Sequence, residues 1–396
     1  MRPEDALNVE HLHRLARRRT PRLVFDYFEG GAEDERGLAH NEAAFRGERL
    51  LPRYLVDVSQ VDLSTTLFGR TYAAPFGIAP FGVAGLIRHG AERMLAEAAA
   101  AAHIPYALPS LGYGKLEDIA PLSNEYVWYQ LYGSKERRIT EDQIRRAADA
   151  GMPVLVFTVD VPGRSNRERD IRNRFGQKPI PLWAMADALR HPAWLWEWYR
   201  NGGMPAFANI APYCPDGASA DAVLSFAQQQ FPVSDHTWRD IERFRRLWPG
   251  AFVLKGILHP DDARRAIEVG VEGVIVSNHG GRQLDRAPSP LEVLPAIRAA
   301  VGERLALLLD SGVRRGSDVV IARALGADFV LAGRAFAYGV GAFGRAGARR
   351  AFEILQREVE ITLRQIGCPR ADQLGPQFVL RAGEAPTPSL QTSLPR

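Results

Sequence analysis

Gly273-Val274-Ile275-Val276-Ser277-Asn278-His279-Gly280-Gly281-Arg282-Gln283-Leu284-Asp285 is the stretch from which the rest of the chain can be read. Its first four residues are continuously apolar, as a strand buried on both faces must be; a half-exposed strand would alternate. The chain then offers a hydroxyl, an amide, an imidazole, two glycines and a guanidinium within six residues. A histidine exchanges a proton near neutral pH, glycines let a ligand approach the backbone, and an arginine grips a carboxylate through two parallel bonds. A turn that only caps a strand needs no such combination. Base, glycines and cationic fork together read as a site.

The same order, apolar strand and then polar rim, recurs outward from this stretch. Apolar runs at 74–79, 104–108, 126–131, 154–159, 251–254, 273–276, 305–309 and 328–331 read as eight strands. Helical patterns at 91–102, 115–120, 140–150, 260–269, 290–300 and 316–325 lie between them. Strands separated by helices pair in parallel through right-handed crossovers. Eight such units predict an α/β fold, a closed (β/α)8 TIM barrel rather than an open doubly wound sheet. Residues 8–28 read as an amphipathic helical extension broken near Pro21. Residues 1–380 are expected to form one domain, and 381–396, with Pro386, Pro388 and Pro395, a loose tail.

Residues 176–235 interrupt the rhythm as a long insert after the fourth strand. Within 183–200 they carry Trp183, Trp194, Trp196 and Trp198 beside Arg190 and His191. A segment this long in a compact domain is a lid, a surface for a membrane or another subunit, or ordinary packing.

The reactive residues keep one phase relative to the strands. Pro80, Phe81 and Gly82 follow the first strand, Ser110 the second, Gln130 and Tyr132 close the third, and Thr158 and Asp160 the fourth. Lys255, Ser277 with His279, Asp310, and Gly333 with Arg334 follow the later ones. In a barrel these positions meet at the C-terminal mouth, where active sites form. Asp310-Ser311-Gly312-Val313-Arg314-Arg315-Gly316 and Gly333-Arg334 combine small residues, helix starts and arginines, which together make a phosphate cradle. Lys255 suits either a Schiff-base lysine or a fixed cation facing a ligand that becomes anionic. Asp160 either orients His279 or pairs with Arg164 or Arg169. Tyr27, in an aromatic cluster ending at Gly30-Gly31, reads as core.

Composition excludes several classes. An apolar fraction of 46% supports a large core, and no run of eighteen apolar residues suggests a spanning helix. A net charge of +4, from 50 basic and 46 acidic residues, points to no nucleic-acid partner. Only Cys214 and Cys368 occur, so a reducing, cytoplasmic setting is expected, and the start lacks the apolar core of a secretory signal. No Gly-Lys-Ser/Thr loop and no paired-histidine spacing appear, so no metal is expected and the phosphate belongs to a cofactor tail.

Together these motifs, with Thr158-Val159-Asp160, Asp170-Ile171-Arg172-Asn173-Arg174-Phe175 and Tyr27-Phe28-Glu29-Gly30-Gly31-Ala32-Glu33-Asp34, resemble the FMN-dependent α-hydroxy-acid dehydrogenase/oxidase family. The resemblance runs from Phe25 to Cys368, and the Tyr27–Asp34 details are similar to the lactate and mandelate dehydrogenase branch. It implies FMN-dependent oxidation of a small L-2-hydroxy acid to the 2-oxo acid. His279 would be the base and Asp160 its partner; Arg282, Arg167 and Tyr27 would hold the substrate carboxylate, and Tyr132 its hydroxyl. Lys255 would face the flavin N1/O2 edge. Pro80, Phe81, Gly82, Ser110, Gln130, Thr158 and Ser277 would line the isoalloxazine. Asp310, Ser311, Gly312, Arg314, Gly333 and Arg334 would bind ribityl and phosphate. It further implies a homo-oligomer (a tetramer), reoxidation by a quinone or another carrier more readily than by oxygen, and peripheral contact with the inner membrane face through 183–200. Two positions depart from the family pattern: Phe81 stands where many members carry Thr, and Pro109 where a Ser usually offers its hydroxyl to the flavin. Two rival functions stay open, a Lys255 Schiff-base lyase of aldolase type and a non-catalytic flavin-binding protein.

Overall fold

The barrel strands are apolar over most of their length because each is buried on both sides, and polar side chains enter only near their C-terminal ends. In the computed structural model, which describes residues 2–123 and 125–380, eight parallel strands close into a barrel. They are β1 (Phe76–Ile78), β2 (Tyr106–Pro109), β3 (Val127–Tyr132), β4 (Val154–Thr158), β5 (Ala251–Ile257), β6 (Gly273–Val276), β7 (Ala306–Leu309) and β8 (Phe329–Ala332). The helices expected between them are present, among them Ala91–Ala101, Arg137–Asp149, Pro260–Glu268, Pro290–Val301 and Gly316–Ala324. The (β/α)8 fold is therefore as the sequence predicts, with strand ends shifted by at most three residues.

Side chains alternate across a strand, and the two sets fall into two separate cores. Ala107, Trp128, Val154, Val156, Val253, Ile275, Leu308, Phe329 and Leu331 form the core inside the barrel. Their neighbours, such as Leu108, Tyr129, Phe157, Leu254, Val274, Leu309 and Val330, pack outward against the helices. The floor of the interior is closed by a hairpin outside the barrel, Thr65–Leu67 with Arg70–Tyr72. Tyr72 inserts its ring against Phe329, 5.5 Å between centroids, and accepts a hydrogen bond from Trp128 Nε1 at 3.3 Å.

Continuing the same alternation toward the C-terminal ends places Pro109, Gln130, Thr158, Lys255, Ser277 and Asp310 on the inward face, one layer above the apolar fill. Strand register sets two neighbouring pairs of these residues opposite each other, Pro109 with Gln130 and Thr158 with Lys255. A polar tier at the mouth of an apolar barrel is what positions the site.

The N-terminal extension forms two helices, Val9–Arg19 and Arg22–Glu29, split at Pro21 as expected because proline lacks an N–H to continue the first. The insert is not a continuous loop. It folds into helices Leu182–Ala188, Pro192–Arg200 and Ala220–Gln230. Two helices after β8, Arg334–Phe343 and the 22-residue Arg345–Ile366, complete the outer layer against the N-terminal helices. The stretch 381–396, expected to be a loose tail, lies outside the described residues.

Candidate active site

The loop after β6 carries His279 at φ +60°, a left-handed conformation that a non-glycine residue adopts only under constraint. The constraint is visible. Asn278 and Asn41 exchange amide hydrogen bonds at 2.9 and 2.7 Å, and Gly281 N donates to Asn278 Oδ1 at 3.1 Å. Gly281, at φ +75°, lies so close to helix Arg36–Gly47 that a Cβ there would come within 2.5 Å of Leu38 N. The strained loop is held from behind by a buried amide clasp.

Held in this way, His279 Nδ1 faces Asp160 Oδ1 at 2.9 Å and Nε2 faces the Tyr132 hydroxyl at 3.3 Å. The carboxylate accepts a hydrogen bond from Nδ1–H, so the neutral ring presents its Nε2 lone pair to the cavity. Burial holds the His279 pKa below its ordinary 6.5, against the opposing pull of Asp160, while Lys255 lowers it further. Burial pushes Asp160 up, but His279 and Lys255 outweigh it, and the carboxyl stays below its ordinary value. Asp160 therefore orients His279, and its alternative partners are engaged elsewhere: Arg169 with Asp26 and Glu35, Arg164 with Gln228 O. Gln283, which sequence reasoning passed over, braces the pair. It donates to Asp160 O at 3.0 Å and accepts from Arg167 at 3.1 Å.

Lys255 sits beneath this pair, 3% exposed. Its Nζ donates to Ser277 Oγ at 2.9 Å and meets Asp310 Oδ2 at 3.3 Å. Gln130 Nε2 donates to Thr158 Oγ1 at 2.9 Å in the same tier. On the far rim Arg282 and Arg167 stand together. Burial, then repulsion from Arg167, drops the Arg282 pKa to about 10. Two crowded, desolvated guanidiniums favour an anion between them. Arg282 also covers the Tyr27 ring at 4.8 Å and donates to the Tyr27 and Gly30 carbonyls at 2.6 and 2.7 Å.

These groups surround a cavity of about 290 Å³. Of the residues singled out from sequence, Tyr27, Pro80, Phe81, Gly82, Gln130, Tyr132, Arg167, Lys255, His279, Arg282, Asp310, Ser311, Gly312, Arg314, Gly333 and Arg334 line it. Tyr27 thus lies on the cavity wall rather than wholly in the core. Asp160, Thr158 and Ser277 act from behind the wall through the bonds given above. Ser110 is also behind it, fully buried, its amide donating to Gln130 O at 2.8 Å. Val161, Phe207 and Phe231 are among the further residues of the wall. Nothing in the sequence marked them, because an apolar side chain reads alike in a core and in a pocket.

One end of the cavity fits a phosphorylated cofactor. Helix Arg334–Phe343 starts there, and the first N–H groups of a helix have no partner within it. Arg314, Gly312 and Gly333 line the cavity beside it, and Gly312, at φ +87°, packs so closely on Asn41 that a Cβ would stand 2.5 Å from Asn41 O. Arg334 itself spends its guanidinium on backbone carbonyls: Phe28 O at 3.0 Å, Gly280 O at 3.0 Å and Gly30 O at 2.9 Å. Arg314 meets Glu42 at 3.0 Å. Backbone amides therefore supply much of the cradle, and Arg334 ties the N-terminal helices to it.

A cationic floor beneath a cofactor-sized cavity, with a carboxylate-oriented imidazole at its rim, defines a cofactor-dependent barrel enzyme. The family model for FMN-dependent dehydrogenase matches residues 16–381, and the chain belongs to that family. It is 39% identical over 384 residues to (S)-mandelate dehydrogenase of Pseudomonas putida, covering 96% of this chain and 95% of that one. Against L-lactate dehydrogenase of Caulobacter sp. (strain K31) it is 38% identical over 359 residues, 91% and 94% of the two chains. Among solved structures, that of the monotopic membrane protein (S)-mandelate dehydrogenase aligns with a TM-score of 0.91 at 38% identity, covering 95% of this chain and 100% of that one. The chain is an oxidoreductase, and its cofactor is FMN.

Proposed function

We propose that this enzyme oxidises a small L-2-hydroxy acid to the 2-oxo acid, and the observation that carries the reading is the Asp160–His279–Tyr132 hydrogen-bonded chain aimed into the FMN cavity. Bound FMN supplies the two-electron sink for the substrate's C–H bond. His279 Nε2 takes a proton from the substrate, and Asp160 stabilises the imidazolium that forms. Tyr132 holds the substrate hydroxyl. Arg282 and Arg167, with Tyr27, hold the carboxylate and fix which face of the α-carbon turns toward the base.

Lys255 supplies a fixed positive charge for a ligand that gains electrons. Its pairing with Asp310 and Ser277 suits that role better than a free-amine nucleophile, which disfavours the Schiff-base alternative. Pro80, Phe81, Gly82, Gln130, Thr158 and Ser277 shape the ring site, with Ser110 supporting Gln130 from behind. Asp310, Ser311, Gly312, Arg314, Gly333 and Arg334 form the ribityl and phosphate end. A non-catalytic flavoprotein would need no oriented base.

Anaerobic bleaching of the flavin by lactate, glycolate, mandelate and longer acids tests the activity. A yellow protein that none of them bleaches would end this reading.

The same reading includes one domain over 1–380, a homotetramer, a quinone or other carrier as oxidant, and peripheral attachment to a membrane through the insert. Two faces of the insert support the last point. Trp194 Nε1 donates to Leu86 O at 2.9 Å, Trp198 is buried, and Glu197 bridges Arg19 at 3.0 Å and Arg88 at 3.3 Å, all fastening the inner face. The outer face exposes Leu182, Leu189, Trp196, Tyr199 and Met204. Among the described residues no helix is long and apolar enough to cross a membrane. Flotation with liposomes, intact against a variant lacking 183–200, checks it; equal behaviour would remove the idea.

A further inference from the structure

A second cavity, about 270 Å³, lies between the barrel wall and the outer helices at the same end of the molecule. Apolar Phe157, Val161, Pro162, Val233, Leu254 and Ile257 make up much of its wall, and Thr158, Ser234, His236, Thr237 and Asp262 add polar groups. It shares Tyr132, Val161 and Phe231 with the FMN cavity, so one layer of side chains separates the two. Phe231 is the bulkiest apolar side chain of that layer. It is only partly buried, follows the end of helix Ala220–Gln230, and touches Tyr132 edge-on with 6.3 Å between ring centroids. The second cavity comes within one side chain of the reacting atoms, because Tyr132, which lines both cavities, meets His279 Nε2 at 3.3 Å. A Cβ on Gly133 would stand 1.9 Å from His236 Cε1. Only glycine permits this packing.

The stereochemistry of the proposed reaction says what enters. The α-carbon carries a carboxylate, a hydroxyl, a hydrogen and a side chain. With the carboxylate at Arg282 and Arg167, and the hydroxyl at Tyr132 and His279, the side chain is left to the apolar part of the wall, where Val161 and Phe231 stand. We infer that the second cavity receives the outer, apolar part of a long substrate side chain, and that Phe231 sets how far that side chain can extend. This rests on the 2-hydroxy-acid reading above. The substrate class is 2-hydroxy acids with extended alkyl or aryl side chains, for which the room is ample: an apolar cavity of about 150 Å³ already holds a benzene ring.

The test is anaerobic flavin reduction of the FMN-loaded enzyme by a series from lactate to 2-hydroxyoctanoate. In the native enzyme kcat/KM should rise with chain length, by about two- to fourfold for each methylene buried. Phe231→Ala, which joins the cavities, should raise the 2-hydroxyoctanoate-to-lactate ratio of kcat/KM by about tenfold, and Val233→Phe, which fills the second cavity, should lower it by a similar factor. Flavin content and thermal unfolding identify a variant that has not folded, and the native series stands without either. A native series flat or falling with chain length, or ratios unmoved in both folded variants, overturns the inference while short-chain turnover leaves the activity standing. Bleaching by no acid at all overturns both.

Discussion

Replacing Asp160 by Asn keeps the side chain's size and removes its charge. Asp160 Oδ1 faces His279 Nδ1 at 2.9 Å, and both side chains are largely shielded from water. When His279 takes up a proton, a positive charge forms about 4 Å from the carboxylate's centre, worth about 4 kcal/mol at an effective dielectric near 20. At about 1.4 kcal/mol for each factor of ten, Asp160→Asn should slow flavin reduction by about 10³-fold. The amide adds a second fault, since its N–H can donate to Nδ1 and leave the ring proton on Nε2, where the base must act. Arg282 and Arg167 are untouched, so affinity for the 2-oxo acid product should stay within about threefold.

The assay is anaerobic stopped-flow reduction at saturating acid, with product titration alongside. The pH profile carries its own sign. Asp160 raises the His279 pKa, whereas burial and Lys255 lower it. Without Asp160 the acid limb of kcat/KM should move to lower pH even as its plateau falls. A folded, FMN-loaded variant reduced within about tenfold of the native rate would refute the assignment of His279 as a base stabilised by Asp160.

Other perturbations probe the supports of the site. Lys255→Met strands Asp310 in the barrel mouth and should cost on the order of 3–5 kcal/mol in urea unfolding. Adding Asp310→Asn should restore part of that stability without restoring flavin reduction. Gly281→Ala forces a Cβ to within 2.5 Å of Leu38 N at φ +75°, so unfolding free energy should fall by roughly 1–3 kcal/mol, and flavin reduction should slow as the His279 loop shifts. Glu29 is pushed up by burial but brought to about 2 by His13, with Arg334 and Tyr338 adding to the fall. Its contribution is full above about pH 4.5 and lost as pH falls toward 2, roughly 3 kcal/mol in all. Glu29→Gln should flatten that acid limb of the stability curve. Pro109→Ser restores a hydroxyl on the inward tier beside Gln130 and should change flavin potential or reoxidation rate; unchanged values would show that this position does not tune the cofactor.

What could be read from the sequence is what burial writes into residue type. The strands were legible because a wall buried on both faces tolerates only apolar residues, and the polar tier because Gln130, Thr158, Lys255, Ser277 and Asp310 break that rule at one height. Tyr72 was not legible as the barrel floor, since its hairpin joins the wall only in three dimensions. Helices Arg334–Phe343 and Arg345–Ile366 escaped because no barrel strand follows them to punctuate the pattern, only the two-residue strand Val379–Leu380. The deepest gap concerns Arg282 and Arg334. From sequence both read as grips for ligand anions, yet each also holds backbone carbonyls at the end of helix Arg22–Glu29. Any residue except proline offers the same N–H and C=O, so such contacts leave no letter behind. They make the N-terminal helices part of the active site through main-chain atoms, with Tyr27 carried in as the only polar side chain of that helix on the cavity wall. A change that unseats Arg22–Glu29 should therefore disturb carboxylate binding at Arg282 and the cofactor cradle at Arg334 together, although the two ends of the cavity share no ligand atom.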